Sequence, residues 1–209
     1  MSEPKETVFL VDDDPAVLKG LRRLLVAAGF EVVPFESPQL FLDGHDAGAH
    51  GCLVLDLAMP GLNGLELQQQ LAARGSMLPI VFLTGHGDVP TSVQAMKRGA
   101  ADFLTKPVDE KDLLAAIQHA LEKGRELRRI RSETAEIERR LATLTPRERE
   151  VLAQIVAGKR NKQVAIELGT VEKTIKVHRA RAMEKMQARS LAELVRLAER
   201  AGIRGSGDG

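Results

Sequence analysis

The 209-residue sequence has one cysteine, no tryptophan and no tyrosine, and aromatic residues make up only 3% of it. A single thiol, Cys52, excludes an intramolecular disulfide and a cysteine-based metal site; set inside the apolar run Cys52-Leu53-Val54-Leu55, it reads as a small core hydrophobe. No stretch approaches the roughly eighteen consecutive apolar residues that a membrane-spanning helix needs. Met1–Thr7 lacks a charged-then-apolar leader pattern, so the expectation is a cytoplasmic protein with no membrane partner. Net charge is nearly absent too, at +1, but that balance hides an asymmetry. Residues 1–125 carry 11 Lys/Arg against 17 Asp/Glu, net −6, whereas residues 126–209 carry 19 against 12, net +7. An acidic front half joined to a basic back half suggests that the back half meets a polyanion. At 44% hydrophobic content the chain can bury one ordinary core and a small second one.

What is present is an alternation of short buried runs and helical spacings. Thr7–Val11 stops at Asp12-Asp13-Asp14-Pro15, after which Val17, Leu18, Leu21, Leu24 and Leu25 recur at helical intervals up to Gly29. Asp14 before Pro15 reads as an N-cap with Pro at the first helical position. Further strands are expected at Glu31–Phe35, Gly51–Asp56, Pro79–Thr84 and Ala101–Thr105, and helices at Ser37–Asp43, Gly64–Arg74, Val89–Arg98 and after Asp109. Five strands, each followed by a helix, predict a doubly wound parallel α/β domain, because parallel neighbours need helical crossovers. The polar residues left at carboxyl ends of strands are Asp12, Asp13, Asp56, Thr84 and Lys106. In the flavodoxin-like order, 2-1-3-4-5, those ends surround one crevice at the switch point. Asp12 and Asp13 repel each other unless a cation compensates, which points to a hard divalent ion such as Mg²⁺.

Val11-Asp12-Asp13-Asp14, Leu55-Asp56-Leu57-Ala58-Met59-Pro60-Gly61, Leu83-Thr84-Gly85-His86-Gly87 and Lys106-Pro107 together resemble the receiver domain of two-component response regulators, over about residues 7–122. Thr84-Gly85-His86-Gly87-Asp88 resembles its FixJ branch. The resemblance implies that Asp56 takes a phosphoryl group from a sensor histidine kinase. It implies Mg²⁺ held by Asp13, Asp56, the Ala58 carbonyl and, partly through water, Asp12, with Lys106 and Thr84 binding phosphoryl oxygens. It also implies a cis Lys106-Pro107 bond and a switch in which Thr84 moves and an aromatic residue of the fifth strand, here Phe103, rotates inward. Phe103 has no hydroxyl, so its inward preference would rest on packing alone.

From Glu122 to Arg140 charges of both signs alternate, with Leu127, Ile130, Thr134, Ile137, Leu141 and Leu144 three and four apart, which favours a continued helix over a loose linker. Thr145-Pro146-Arg147-Glu148 is a capping box that opens a helix through Val156. Helices are then expected at Asn161–Leu168 and Val171–Met186, joined through Gly169-Thr170, and after a second capping box, Ser190–Glu193. On the third of these four helices Ile175, Ala182 and Met186 share one face, leaving Lys173, Thr174, Lys176, Val177 and Arg181 outward or flanking. Leu144–Leu152, Asn161-Lys162 and Thr174–Arg179 resemble the four-helix DNA-binding domain of the LuxR/NarL/FixJ class across residues 143–202. That resemblance implies base contacts from Lys176 and Val177, phosphate contacts from Lys173 and Thr174, and a dimer contact on the fourth helix. One departure stands out: the family has Ser where this chain has Val171, and Val caps poorly, so the helix is expected to start on Thr170 or to fray.

The expected organisation is a receiver at 1–122, a charged helical linker at 123–142, a helix-turn-helix domain at 143–203 and a disordered tail at 204–209. The expected function is a phosphorylation-activated transcription regulator that pairs into a homodimer and binds promoter DNA, without enzymatic turnover beyond its own phosphorylation and dephosphorylation. Asp12-x-Asp14 also matches, superficially, the aspartyl phosphatase signature, which leaves an aspartate-nucleophile phosphohydrolase as the alternative.

Overall fold

The computed structural model describes residues 6–45, 48–85 and 89–203, and the chain divides into two units, Met1–Arg128 and Arg129–Gly209. The first is a five-stranded parallel sheet, β1 (Thr7–Val11), β2 (Glu31–Phe35), β3 (Gly51–Leu55), β4 (Ile80–Thr84) and β5 (Asp102–Thr105), in the order β2-β1-β3-β4-β5. The connecting helices are α1 (Pro15–Ala27), α2 (Pro38–Gly44), α3 (Gly64–Ala73) and α4 (Val89–Lys97), and α5 (Glu110–Ala142) follows β5. The predicted doubly wound topology is therefore the observed one.

The period-two geometry of a strand explains the two cores. Val8, Leu10, Cys52, Val54, Val81 and Leu83 point to one face and pack with Leu18 and Leu25 of α1 and Leu113, Ile117 and Ala120 of α5. Phe9, Val11, Leu53, Leu55, Ile80 and Phe82 point to the other and meet Phe41, Leu67, Leu71 and Ala95 of α2, α3 and α4. Burial on both sides is why β3 and β4 are buried along their whole lengths and why their sequences read as unbroken apolar runs. Cys52 is fully buried among them, and burial drives its thiol pKa up to about 12, which leaves it protonated and inert.

The predicted caps hold in part. Asp14 accepts from the Ala16 and Val17 N–H groups, with Pro15 opening α1. Asn63 and Glu66 form a reciprocal box at α3, as Thr145 and Glu148 do at α6 (Pro146–Val156). The second unit continues with α7 (Asn161–Glu167), α8 (Glu172–Lys185) and α9 (Leu191–Arg200). Two expectations need correcting here. Helix α8 starts on neither Thr170 nor Val171; Val171 is its N-cap, contributes no side-chain bond, and leaves Glu172 as the first helical residue. At α9 the Ser190 hydroxyl does accept from the Glu193 N–H, but the Glu193 carboxylate accepts from the Arg189 N–H, one residue before the cap, so the box does not close.

Helix α5 is continuous through 33 residues, as the alternating charges predicted. Its Ile137 and Leu141 join Leu144, Leu152, Ala182, Met186, Leu194 and Ala198 in the core of the second unit, whereas Leu127 and Ile130 remain exposed. Val151, Ile155, Val164, Ala165 and Ile175 make its other cluster. Among the described residues no helix is long and apolar enough to cross a membrane. The predicted tail at 204–209 and His86, Gly87 and Asp88 of the β4 motif lie outside the described residues.

Candidate functional site

Register builds the crevice. Strand β1 pairs with β3 so that Val11 faces Leu55, and the residues that follow, Asp12 and Asp56, emerge side by side where the strands end. The Asp12 N–H bonds the Phe35 carbonyl at 3.3 Å and the Asp56 N–H the Val11 carbonyl at 2.8 Å, so both backbones are still held by the sheet as their carboxylates turn outward. On the other flank Thr84 pairs with Thr105, and the Lys106 N–H donates to the Thr84 carbonyl at 2.7 Å. That last bond carries Lys106 back over the ends of β1 and β3.

The Lys106 Nζ donates to Asp12 Oδ2 at 2.5 Å and to Asp56 Oδ2 at 3.2 Å. Asp12 and Asp56 are 3% and 8% exposed, so one ammonium neutralises part of a buried, doubly acidic site. Their remaining oxygens are also occupied: Asp12 Oδ1 accepts from the Asp14 N–H at 3.0 Å, and Asp56 Oδ1 from the Leu57 N–H at 2.7 Å and the Ala58 N–H at 3.5 Å. Burial raises the Asp12 pKa above the ordinary carboxylate value, against the pull of Lys106. For Lys106 burial works downward, but Asp12 and Asp56 outweigh it and hold the ammonium above its usual pKa. The geometry therefore fixes Lys106 as a cation facing an excess of negative charge.

Asp13 is exposed, and one ligand atom each from Asp12, Asp13 and Asp56 lies within 4.8 Å of the others. Three carboxylates at that spacing form a hard oxygen donor set, the kind that suits a small divalent cation. Thr84 is fully buried at the end of β4, and Ala58 is exposed in the loop after β3. Phe103 is half-buried, its ring 6.0 Å from that of Phe82 and packed on the core beneath α3 and α4. The Lys106-Pro107 bond is cis, as expected. Asp14, by contrast, is exposed and committed to capping α1, so the phosphatase-like Asp12-x-Asp14 pattern does not bring a second carboxyl into the crevice.

Sequence reasoning read Gly64 only as the start of a helix, yet the fold needs a glycine there. A Cβ there would stand 2.5 Å from the Asp56 carbonyl oxygen and 3.0 Å from the Leu57 Cα, so any side chain would push the loop carrying Asp56. It missed Gln68 as well. This buried side chain of α3 donates to the Ala95 and Arg98 carbonyls at 3.3 and 3.4 Å and so holds the carboxyl end of α4. Only an unexplained amide on the apolar face of α3 could have signalled it.

In the second unit Ile175, Ala182 and Met186 are buried, and Lys173, Lys176, Val177 and Arg181 are exposed, with Thr174 half-buried. One helix face is thus anchored and the opposite one free and basic. Lys176 pairs along the surface with Glu172 at 3.1 Å. The exposed face has no bulky aromatic group to obstruct a groove.

A carboxylate-lysine crevice at the switch point of a doubly wound sheet, carried on one chain with a helix-turn-helix unit, defines a signal-receiving domain coupled to a DNA-binding one. The family model described as response regulator receiver domain matches residues 8–118, and that described as bacterial regulatory proteins, luxR family, matches residues 142–198. The transcriptional regulatory protein FixJ of Bradyrhizobium diazoefficiens is 45% identical over 199 residues, 95% of this chain and 97% of that protein. The response regulator protein TodT of Pseudomonas putida is 42% identical over 96% of this chain and 88% of that protein. Among solved structures, that of the response regulator StyR shares 50% identity at a TM-score of 0.82, covering 94% of this chain and 100% of that one. Full-length FixJ from B. japonicum shares 45% identity at a TM-score of 0.57, over 96% and 99% of the two chains. The chain belongs to the response regulators that join a receiver to a LuxR-type DNA-binding domain. It is a DNA-binding transcription regulator controlled by phosphorylation.

Proposed function

We propose that Asp56 is the phosphoacceptor, that the phosphoryl group comes from the phosphohistidine of a sensor histidine kinase, and that the modified protein pairs into a homodimer that binds promoter DNA in the cytoplasm. The observation that carries this reading is the Lys106 ammonium held between Asp12 and Asp56 at 2.5 and 3.2 Å beside the buried Thr84. A carboxylate oxygen of Asp56 attacks phosphorus, the P–N bond to the donor imidazole breaks, and an acyl phosphate forms. The Leu57 and Ala58 N–H groups, already directed at Asp56, orient its carboxylate. Lys106 binds a phosphoryl oxygen as a point charge, and the Thr84 hydroxyl bonds another.

The donor set formed by Asp12, Asp13 and Asp56, completed by the Ala58 carbonyl, fits Mg²⁺. Bound there, the ion would neutralise charge on the group being transferred. Thr84 and Phe103 form the switch that carries the change to the surface of α4, β5 and α5, where two copies pair. Pairing presents two α8 helices, in which Lys176 and Val177 face base edges and Lys173, Thr174 and Arg181 hold phosphates, to two half-sites. Turnover of free phosphomonoesters is not part of the activity. Incubation of the unmodified protein with Mg²⁺ and acetyl phosphate should add one phosphoryl group at Asp56 by mass spectrometry and shift the protein to a dimer by gel filtration. An Asp56→Asn protein that dimerised and bound DNA in the same way would sink the proposal.

A further inference from the structure

The recognition helix α8 begins without the group that normally secures a helix start. Its N-cap, Val171, is 64% exposed and offers no side-chain acceptor; only the Val171 carbonyl, accepting from the Thr174 and Ile175 N–H groups at 3.0 and 3.3 Å, closes the first turn. The trailing end is secured from outside the helix. Lys185 Nζ donates to Glu148 at 2.6 Å and to the Thr143 carbonyl at 3.1 Å, and Arg140 Nη1 to the Met186 carbonyl at 3.3 Å.

At the leading end Ile175 packs on Val151, Ile155, Val164 and Ala165, and one polar side-chain contact reaches the turn from outside α7 and α8. The turn into α8 runs Leu168, Gly169, Thr170, Val171, with Gly169 at a φ of +61° that a side chain would resist. Leu168 is the C-cap of α7, and its carbonyl accepts from Arg147 Nη2, in the first turn of α6, at 2.5 Å. The Nη1 arm of the same guanidinium is fixed by Glu150 at 2.8 Å, which aims the fork at the turn. Among the described residues this is the one side-chain hydrogen bond that reaches the Leu168–Val171 turn from another helix.

We propose that Arg147 is a positioning residue: by holding the turn through the Leu168 carbonyl it sets the leading end of a recognition helix that has no N-cap side chain of its own, and operator affinity depends on it without its touching DNA. The inference rests on the DNA-binding reading of α8. A turn released from Arg147 samples orientations in which Lys173–Val177 miss the groove, and apparent affinity falls with the fraction still competent. Binding to base edges suffers most, because phosphate-driven association tolerates a tilted helix.

The test uses the full-length protein with Mg²⁺ and acetyl phosphate, and a duplex that the unmodified protein enriches from a random pool. Arg147→Ala should bind that duplex about tenfold more weakly, with affinity for an unrelated duplex and salt dependence unchanged and the protein still folded at the assay temperature. Val171→Ser, which supplies a capping hydroxyl, should recover most of the loss in the Arg147→Ala background and change affinity less than about twofold alone. Arg147→Lys, a point donor to the same carbonyl, should lie between. Unchanged binding by Arg147→Ala overturns the proposal, and so does a loss that Val171→Ser fails to recover. A parallel loss on both duplexes with a shallower salt slope also overturns it, since that marks a direct phosphate contact. So does a loss that follows unfolding at the assay temperature. If the unmodified protein enriches no duplex, the DNA-binding reading falls and takes the inference with it; an enriched duplex bound equally well by Arg147→Ala overturns the inference alone.

Discussion

Lys106→Met removes the one ammonium between two carboxylates while keeping the length of the side chain. The Asp12 and Asp56 side chains are 5% and 9% exposed, and that of Lys106 is 22% exposed, so the group lost is partly open to water and the groups left behind are not. Breaking a fully buried pair costs about 3–5 kcal/mol, and an exposed pair contributes about 0–1 kcal/mol; this geometry lies between, at about 2 kcal/mol. For a unit of this size about 1 kcal/mol moves the melting temperature by about 3–5 °C, so the receiver transition should fall by about 6–10 °C in EDTA at neutral pH. The sign of the pH dependence follows from Asp12, whose folded pKa is raised. The folded state binds the extra proton, so stability falls as pH rises from the ordinary carboxylate value through the raised one. Without Lys106 that dependence should steepen, and the gap to the unmodified protein should narrow as acid protonates a carboxyl. Mg²⁺ should stabilise the variant more than the unmodified protein, because the cation supplies the charge that Lys106 gave. Calorimetry with and without Mg²⁺ reads all three effects. A variant that melts within about 1 °C of the unmodified protein in EDTA would refute the claim that Lys106 compensates buried carboxylates.

Other expectations follow from single contacts. Gly64→Ala should cost a few kcal/mol, on the order of the larger effects of single substitutions, and slow phosphorylation from acetyl phosphate, because its Cβ would press the Asp56 carbonyl. Thr84→Val, close to isosteric, should still take the phosphoryl group but dimerise less at equal phosphorylation, read by gel filtration. Glu148 is held below the usual glutamate pKa, first by Lys185 and then by the Thr145 N–H. It stabilises the second unit above the ordinary glutamate pKa, and that contribution is lost as pH falls through the lowered value. Glu148→Gln should therefore flatten the acid limb of unfolding followed by circular dichroism. Lys173→Ala should weaken binding to all duplexes alike and lower the salt slope by about one, whereas Lys176→Ala should relax sequence preference at one base position.

The crevice was legible in sequence because its parts are local patterns repeated in order. Each of β1, β3 and β4 is a buried run that ends in a polar residue, and β5 runs into Lys106. Parallel register then aligns those ends without further information. Asp14 was read correctly as a cap for the same reason: Asp-Pro before a helical spacing has a local meaning. What sequence could not show depends on contacts between distant positions. Arg147 meets Leu168 and Lys185 meets Glu148 only because α6, α7 and α8 pack as they do, and no motif marks either pairing. Gln68 holds the end of α4 across 30 residues. Ser190–Glu193 shows the opposite failure. The motif was present, but the Arg189 N–H also lay within reach of the carboxylate and took it. Spacing proposes a capping box, and backbone geometry at the helix start decides it.

The central claim is that Asp56 chemistry controls DNA binding. It is tested most directly by titrating one enriched duplex with the full-length protein and its Asp56→Asn variant, each with and without acetyl phosphate and Mg²⁺, while phosphorylation is followed by mass spectrometry. The unmodified protein should gain one phosphoryl group at Asp56 and bind the duplex more tightly as it does so, and the variant should show neither change. Equal tightening in both proteins, or full phosphorylation of Asp56 with no change in affinity, would contradict it.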